Sequence, residues 1–235
     1  MSVFQLTDTI AFPDPNLAEE DGLLAVGGDL STERILHAYA QGIFPWYSDG
    51  QPILWWSPDP RMVLIPSEFK CSKRLERERR NPAWTVTVDT HFEEVVDRCA
   101  TMSRPDQDGT WITDEMCDAY GTLHRAGYAH SVEAWKEGAL AGGLYGVSLG
   151  RCFFGESMFS LEPNASKIAL AALVDHLLGH GFSLIDCQVH TPHLESLGAR
   201  NIPRDTFLTL LEEANTGETR VGKWTFDKGP KGPEK

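Results

Sequence analysis

Two polar residues in the second half of the chain have the types and spacing that proton transfer requires. Asp186 and Gln188 are two positions apart in the strand-like run Leu-Ile-Asp-Cys-Gln. Residues two apart on a strand share a face, so their side chains are predicted to point the same way, with Ile185 and Cys187 opposite. A carboxylate beside an amide can take a proton and orient a nucleophile. The alternative is that the pair is only the polar face of a half-buried strand.

Glu156 lies in the run Phe-Phe-Gly-Glu-Ser-Met-Phe, which is predicted to close a strand before a long helix over residues 164–180. The next strand carries Asp186 and Gln188. In a parallel strand–helix–strand unit these strand ends lie side by side, so all three side chains are predicted to face one cleft. Apolar residues near the same sheet end predict a pocket for an unbranched or aromatic side chain, although ordinary core is the alternative for each. They are Leu144, Phe153, Met158, Leu170 and Ile185.

The elements that must position these residues alternate along the chain. Strands are predicted at 62–65, 84–88, 130–136, 139–148, 151–154 and 183–189, and helices at 31–41, 92–101, 114–126, 164–180, 192–197 and 203–214. This order predicts an α+β fold in which helices pack on a mixed sheet. We expect a small N-terminal domain over 1–65 and a larger domain over 66–235, with a frayed tail from about 228.

Composition narrows the class of protein. The 235 residues are 41% hydrophobic, enough for one large or two small folded domains. The five cysteines are widely spaced and form no C-x-x-C, which favours a reducing compartment. No signal peptide is visible, and the longest apolar run, 168–174, is far too short for a membrane span. A cytoplasmic protein without a membrane partner is expected.

One basic segment stands out on an acidic chain. The net charge is −13, which argues against wholesale coating of nucleic acid, but residues 70–80 carry a net charge of +4. That segment suits local contact with a phosphate backbone. The alternative is a solvated helix face on which Arg77 and Arg80 pair with Glu76 and Glu78.

Tryptophans are unusually frequent in segments without a regular pattern. They are Trp46, Trp55, Trp56 and Trp111. Such side chains can stack on nucleobases, or they can fasten a loop to the core.

Several common kinds of site are not supported. His176 and His180 are spaced as a helical metal pair but have no third ligand at motif spacing, so no metal is predicted. The Gly-Gly pairs at 27–28 and 142–143 match no nucleotide-binding loop. No G-x-S-x-G elbow is present, and Cys187 has no motif partner, so no acyl-enzyme nucleophile is visible.

A set of motifs in order along residues 10–207 resembles the leucyl/phenylalanyl-tRNA–protein transferases. The motifs are FPWY at 44–47, PILWWSPDPR at 52–61, GTWIT at 109–113, GGLYG at 142–146, FGESMFS at 154–160, NASK at 164–167, IDCQ at 185–188 and SLGA at 196–199. Each motif alone is weak, whereas the ordered set is highly specific.

The resemblance implies an enzyme that transfers leucine or phenylalanine from aminoacyl-tRNA to proteins beginning with Arg or Lys. A pocket that selects by size should also accept methionine. The product would be marked for N-end-rule degradation. The resemblance also implies a GNAT-like fold for the larger domain. We expect the chain to be a monomer. Acetyltransferases of that fold bind the coenzyme A pyrophosphate with a glycine-rich loop, where this chain has Ser-Leu-Glu-Pro-Asn at 160–164. No cofactor is therefore expected.

Residue roles follow from the same resemblance. The proposed catalytic pair falls on Asp186 and Gln188, and the Glu of the G-E-S-M motif falls on Glu156. The aminoacyl pocket falls on the five apolar residues named above, with Leu144 where the family often has Met. Adenosine stacking falls on Trp46 and Trp111. Contacts with tRNA fall on the basic segment, at Lys73, Arg74, Arg77 and Arg80.

These assignments predict aminolysis of an activated ester. Gln188 would accept a hydrogen bond from the α-amine, Asp186 would hold Gln188, and Glu156 would neutralise the cationic acceptor. Two rival functions are an acyl-CoA N-acyltransferase of the GNAT type and a non-catalytic RNA- or peptide-binding protein.

Overall fold

The computed structural model describes residues 3–102 and 112–226. In chain order the strands are β1 (Phe4–Leu6), β2 (Leu23–Gly27), β3 (Phe44–Pro45), β4 (Leu54–Trp56), β5 (Arg61–Leu64), β6 (Trp84–Val88), β7 (Ala129–Lys136), β8 (Ala139–Leu149), β9 (Cys152–Ser160), β10 (Leu184–Gln188) and β11 (Arg200–Ile202). The helices are α1 (Thr32–Ala40), α2 (Lys73–Arg79), α3 (Phe92–Thr101), α4 (Asp114–Arg125), α5 (Ala165–Gly179), α6 (Pro192–Ser196) and α7 (Arg204–Asn215).

The strands form two sheets. The small sheet has the order β1-β2-β4-β3, and the large one has the order β11-β5-β10-β9-β8-β7-β6. Within the large sheet, β9 and β10 are parallel and every other neighbouring pair of described strands is antiparallel. The mixed sheet packed by helices confirms the predicted α+β class.

The unit β9-α5-β10 positions the candidate site. Its two strands pair in parallel, with Ile185 opposite Phe153 and Asp186 opposite Phe154. Helix α5 connects them and packs on β7, β8 and β9. Most of its residues are buried, because it lies under the sheet rather than on the surface. The predicted side-by-side placement of the two strands is confirmed.

Helix ends follow their capping residues. The hydroxyl of Ser31 accepts a hydrogen bond from the amide of Arg34 at the start of α1, and Thr113 caps α4 in the same way. Gly42 and Gly127 adopt positive φ beyond the ends of these helices, as glycine does after a helix C-terminus. Both predicted helices are confirmed.

Strand β9 is longer than the prediction for residues 151–154. It continues to Ser160 and pairs with β8 throughout, with a register shift between Tyr145 and Gly146 where Glu156 is the extra residue. Polar residues and Gly155 interrupt the apolar pattern there, so the sequence does not show the continuation. A side chain at Gly146 would collide with the carbonyl of Phe154, 2.1 Å from the position of a Cβ, so the close strand approach requires glycine.

Two hydrophobic cores lie against the large sheet. Adjacent residues of β9 contribute to different cores, with Phe154 in one and Phe153 in the other. The first core also holds Tyr39 of α1 and Trp55 of β4, and therefore joins the small sheet to the large one. The second core lies beneath α5.

Strand β5 belongs to the large sheet although it lies on the N-terminal side of the predicted domain boundary near residue 66. It precedes that boundary, yet it pairs with β10 and β11 in the large sheet. The boundary itself stays a prediction. No described helix has both the length and the apolar character of a membrane span.

Candidate functional site

A cavity of about 650 Å³ opens beside β9, β10 and α5. All five apolar residues that the sequence predicted for a pocket line it, namely Leu144, Phe153, Met158, Leu170 and Ile185. Glu156 and Gln188 line it as well, and so does Trp46. The structure thus brings together an apolar pocket, a carboxyl group and an amide.

Glu156 is held by three hydrogen-bond donors. Its Oε1 accepts from the Tyr39 hydroxyl at 2.6 Å and from Gln188 Nε2 at 2.9 Å, and its Oε2 accepts from the Tyr120 hydroxyl at 2.8 Å. The two tyrosine oxygens are themselves 2.6 Å apart. Burial raises the pKa of Glu156 to about 7, because removal from water disfavours the charge more than the hydroxyl hydrogen bonds favour it.

Asp186 has a different environment. Arg61 donates two hydrogen bonds to Asp186, from Nε to Oδ1 at 2.8 Å and from Nη2 to Oδ2 at 2.7 Å. Both side chains are fully buried. The guanidinium lies over the rings of Phe44 and Phe207, at 4.8 and 4.5 Å from their centroids. Such a bidentate pair fixes the position of the carboxylate.

The predicted arrangement of Asp186 and Gln188 is wrong in detail. Asp186 is absent from the cavity lining, whereas Gln188 lines it together with Ile185 and Cys187. The pairing of β10 with β5 shifts register between Asp186 and Gln188, and Gln188 has a φ of +61°. The two-residue alternation of a strand fails at this irregularity. Asp186 still holds Gln188, but through the backbone amide, which donates to Oδ1 at 2.9 Å.

Cys187 lines the cavity without the character of a nucleophile. Burial, together with the negative charge of Asp186, raises its pKa well above the usual range of a thiol. A thiolate is the reactive form of cysteine, so this residue serves as apolar wall. That agrees with the absence of a motif partner in the sequence.

The tryptophans of the irregular segment divide into two kinds. Trp55 is fully buried and donates from Nε1 to the carbonyl of Gly27 at 2.9 Å, which fastens the small sheet. Trp46 is half-buried and reaches the cavity, and Trp56 donates to its carbonyl at 2.6 Å. Trp111, the second residue predicted to stack on adenosine, lies outside the described residues.

The basic segment forms α2 and its C-terminal cap. Arg79 and Arg80 pair with Glu76, and Arg79 also reaches Asp175. The predicted pairing of Arg77 with a neighbouring Glu is therefore replaced by one of Arg79. Across residues 3–102 and 112–226, no ion pair involves Lys73, Arg74 or Arg77, and all three are exposed. None of these basic residues lines the cavity.

Metal binding finds no support in the described part of the chain, where no three His, Cys, Asp or Glu side chains converge on a possible ion. The rings of His176 and His180 lie 4.3 Å apart between centroids and are tilted by 43°. His176 packs on Trp224 and Phe226, so its aromatic surroundings are those of a core residue.

Three residues of the site carry no clear signal in the sequence. Tyr39 and Tyr120 belong to no motif that indicates chemistry, and Arg61 appears only as the last residue of the motif at 52–61. A lone arginine at the end of a Trp- and Pro-rich run is a usable signal, since a guanidinium amid apolar residues needs a carboxylate partner.

Comparison with known families covers both parts of the chain. The model for the leucyl/phenylalanyl-tRNA protein transferase matches residues 63–212, and the model for the N-terminal domain of the same transferase matches residues 28–59.

Several curated proteins named leucyl/phenylalanyl-tRNA–protein transferase are similar over nearly their whole length. Those from Desulfatibacillum aliphaticivorans and Anaeromyxobacter sp. strain Fw109-5 are 57% and 58% identical, and the alignments cover 97% of both chains. The protein from Syntrophobacter fumaroxidans is 61% identical over 91% of each chain.

The matching solved structures are more distant. A GCN5-related N-acetyltransferase from Kribbella flavida has a TM-score of 0.38 at 10% identity, covering 70% of this chain and 58% of that one. The C-terminal domain of a lysylphosphatidylglycerol synthetase from Agrobacterium fabrum also has a TM-score of 0.38, at 12% identity over 78% and 56% of the two chains. The family matches, in contrast, leave one conclusion: this chain belongs to the leucyl/phenylalanyl-tRNA–protein transferase family and is an aminoacyltransferase.

Proposed function

We propose that this enzyme transfers leucine or phenylalanine, and also methionine, from aminoacyl-tRNA to the α-amine of proteins that begin with Arg or Lys. The modified proteins would then enter N-end-rule degradation. The observation that carries the proposal is the cavity, in which an apolar pocket adjoins Glu156 and Gln188.

The apolar walls suit the side chain of the donor amino acid. Leu144, Phe153 and Ile185 are at most 3% exposed, and Met158 adds an adaptable surface. Pockets of this kind discriminate by size, and one methylene contributes only about 1–3 kcal/mol. Leucine, phenylalanine and methionine are all accepted on this basis, to different degrees.

Charge in the cavity suits a cationic acceptor. Glu156 is the one acidic residue among the described residues that line the cavity, and no Lys or Arg accompanies it there. Arg61 already neutralises Asp186 behind the wall. No Lys or Arg that lines the cavity therefore competes with the positive N-terminal residue of the acceptor for Glu156.

The reaction needs little beyond alignment of the two substrates. The aminoacyl ester is already activated, so its conversion to an amide runs downhill. Gln188 keeps its side-chain oxygen free of hydrogen bonds from the described residues, because only Nε2 is engaged, by Glu156. That oxygen accepts from the α-amine, while Asp186 positions the residue through its backbone. Alignment of two substrates contributes about 7–11 kcal/mol to lowering a barrier.

The remaining contacts with tRNA are assigned to aromatic and basic side chains. Trp46 stacks on the terminal adenosine, as does Trp111, and the exposed side chains of α2 contact phosphates. Lys73, Arg74 and Arg77 are available for this because no described acidic group pairs with them, whereas Arg80 is shared with Glu76.

The proposed setting is the cytoplasm. All five cysteines are free thiols, as a reducing compartment favours. A monomeric state and a domain boundary near residue 66 are part of the same proposal. Light scattering coupled to size-exclusion chromatography tests the first, and limited proteolysis with mass mapping tests the second.

One incubation distinguishes the proposed reaction from its rivals. Leucyl-tRNA labelled in the amino acid is mixed with the enzyme and a peptide beginning with Arg, and a peptide beginning with Asp serves as the control. Label is expected in the Arg peptide alone. Label in neither peptide, or acyl transfer from acetyl-CoA with none from tRNA, contradicts the proposal.

A further inference from the structure

The contacts around Glu156 do not match the number of available hydrogens. Its carboxyl oxygens, the Tyr39 hydroxyl and the Tyr120 hydroxyl make a closed ring of three contacts, at 2.6, 2.8 and 2.6 Å. Each contact is short enough for an O–H···O hydrogen bond. The two phenols supply one hydrogen each. When Glu156 is ionised, one contact therefore joins two oxygens with no hydrogen between them.

A single added proton completes the ring. Protonated Glu156 donates from Oε2 to Tyr120, Tyr120 donates to Tyr39, and Tyr39 donates to Oε1. Every short contact then has its hydrogen. We propose that Glu156, together with Tyr39 and Tyr120, is the proton acceptor for the attacking α-amine. This inference rests on the proposed function and assigns one step within it.

Asp186 cannot perform the same task. Both its oxygens accept hydrogen bonds from Arg61, and Oδ1 also accepts one from the Gln188 backbone. These donors leave neither oxygen facing the substrate, and Asp186 does not line the cavity. Asp186 is a positioning residue, and the carboxyl group that lines the cavity is that of Glu156.

An α-amine finds two acceptors at the cavity wall. Oε2 of Glu156 accepts one hydrogen bond from the described residues and keeps a second lone pair. Oε1 of Gln188 is the other, and the Gln188 amide is joined to Glu156 at 2.9 Å. A neutral amine that binds both has its lone pair free to attack the ester.

The step balances without a further reactant. Bulk water takes the first proton of the ammonium. The nitrogen lone pair then forms the C–N bond, and the surplus proton on nitrogen passes to Glu156. The C–O bond to the ribose breaks with its electron pair on the ribose oxygen, which takes the proton that Glu156 releases. Glu156 ends the cycle ionised, as it began.

Several titratable or charged groups surround Glu156. Tyr39 belongs to α1, Tyr120 to α4, Tyr145 to β8 and Asp186 to β10, and Arg61 of β5 compensates Asp186. The negative charge of Asp186 raises the pKa of Glu156, whereas the hydroxyls of Tyr39 and Tyr120 lower it. Loss of either hydroxyl must therefore raise this pKa further.

The test follows transfer against pH with an acceptor that does not itself titrate. A peptide whose first residue is an arginine analogue with an aminooxy group in place of the α-amine stays uncharged over the range used. With wild-type enzyme, kcat is expected to rise with pH to a plateau with a midpoint near 7. In Tyr39→Phe and in Tyr120→Phe the midpoint moves up by about one pH unit, because a hydrogen bond to a charged group is lost. Glu156→Gln lowers kcat about 100-fold or more on the plateau and makes it independent of pH.

Tyr47→Phe is the matched control. It also removes a buried tyrosine hydroxyl that donates to a glutamate, Glu115, at 3.2 Å, and neither residue lines the cavity. Its midpoint is expected to equal that of wild type. The inference is overturned if Glu156→Gln keeps the wild-type kcat with only a higher KM for the acceptor, or if neither ring variant moves the midpoint. A wild-type enzyme that moves no label from aminoacyl-tRNA instead defeats the proposed function.

Discussion

Arg61 and Asp186, 125 positions apart in the chain, form a bidentate ion pair that is wholly removed from solvent. The pair joins β5 to β10 at the point where the register of the two strands shifts. It also fixes the backbone amide of Gln188. Asp186 therefore positions Gln188, and our proposal assigns the proton transfer to Glu156.

Removal of Arg61 should destabilise the protein strongly. Arg61→Met leaves Asp186 buried without a partner, which is expected to lower the free energy of unfolding by about 3–5 kcal/mol. Urea denaturation measures this loss. Glu94→Ala is the control, since it breaks a pair with Arg98 in which the two side chains are 42% and 49% exposed and should cost less than about 1 kcal/mol. The double variant Arg61→Met with Asp186→Leu should recover much of the loss. No recovery would contradict the idea that the buried charge is responsible.

Stability should depend on pH through Glu156. Its pKa rises from 4.5 to about 7 on folding, so the folded state holds more protons than the unfolded state between these values. The free energy of unfolding therefore falls as pH rises through this window, by about 3 kcal/mol in total. Glu156→Gln removes this decline. The difference between the urea midpoints at pH 5 and pH 8 should therefore become smaller in Glu156→Gln. It should stay as in wild type in the control variant Glu115→Gln. Equal pH dependence in both variants would mean that Glu156 does not titrate in the window.

Donor choice should respond to pocket size. Leu144→Phe fills part of the cavity and is expected to reduce kcat/KM for phenylalanyl-tRNA more than for leucyl-tRNA, by roughly tenfold. Competition between the two charged tRNAs gives the ratio directly. Leu161→Phe makes the same change at a residue that is 50% exposed and does not line the cavity. If both variants change the ratio equally, the cavity does not hold the donor side chain.

Binding of tRNA should weaken when the unpaired cations of α2 are removed. The double variant Arg74→Ala with Arg77→Ala is expected to lower affinity and to reduce the slope of log affinity against log salt by about 1–2. Filter binding between low and moderate salt gives that slope. Arg79→Ala is the comparison, because Glu76 and Asp175 already occupy its guanidinium. An identical slope in wild type and double variant would remove α2 from the tRNA contact surface.

The order of strand and helix patterns along the chain was enough to predict which elements form the site. The strand–helix–strand order placed the strand of Glu156 beside that of Asp186, and the apolar residues of those elements converge on one cavity. These relationships depend on short-range periodicity and on one crossover connection. The class of fold follows from the same signals.

Contacts between distant segments were beyond the same reasoning. Nothing local to Tyr39, Tyr120 or Arg61 shows that α1, α4 and β5 meet at β9 and β10, because that depends on how the two sheets pack. The orientation of Gln188 was also missed. Its positive φ arises from a strand irregularity, and glutamine rarely adopts that conformation without tertiary support.

The ring around Glu156 has a consequence for how the enzyme can be divided. Tyr39 comes from the stretch matched by the N-terminal family model, whereas Tyr120 and Glu156 come from the stretch matched by the other. Neither stretch carries a complete set of partners for the carboxyl group. A chimera that exchanges one stretch between relatives is expected to be active only when the tyrosine hydroxyl on α1 still reaches the carboxyl group of Glu156. The two stretches are therefore expected to be exchangeable only as a pair.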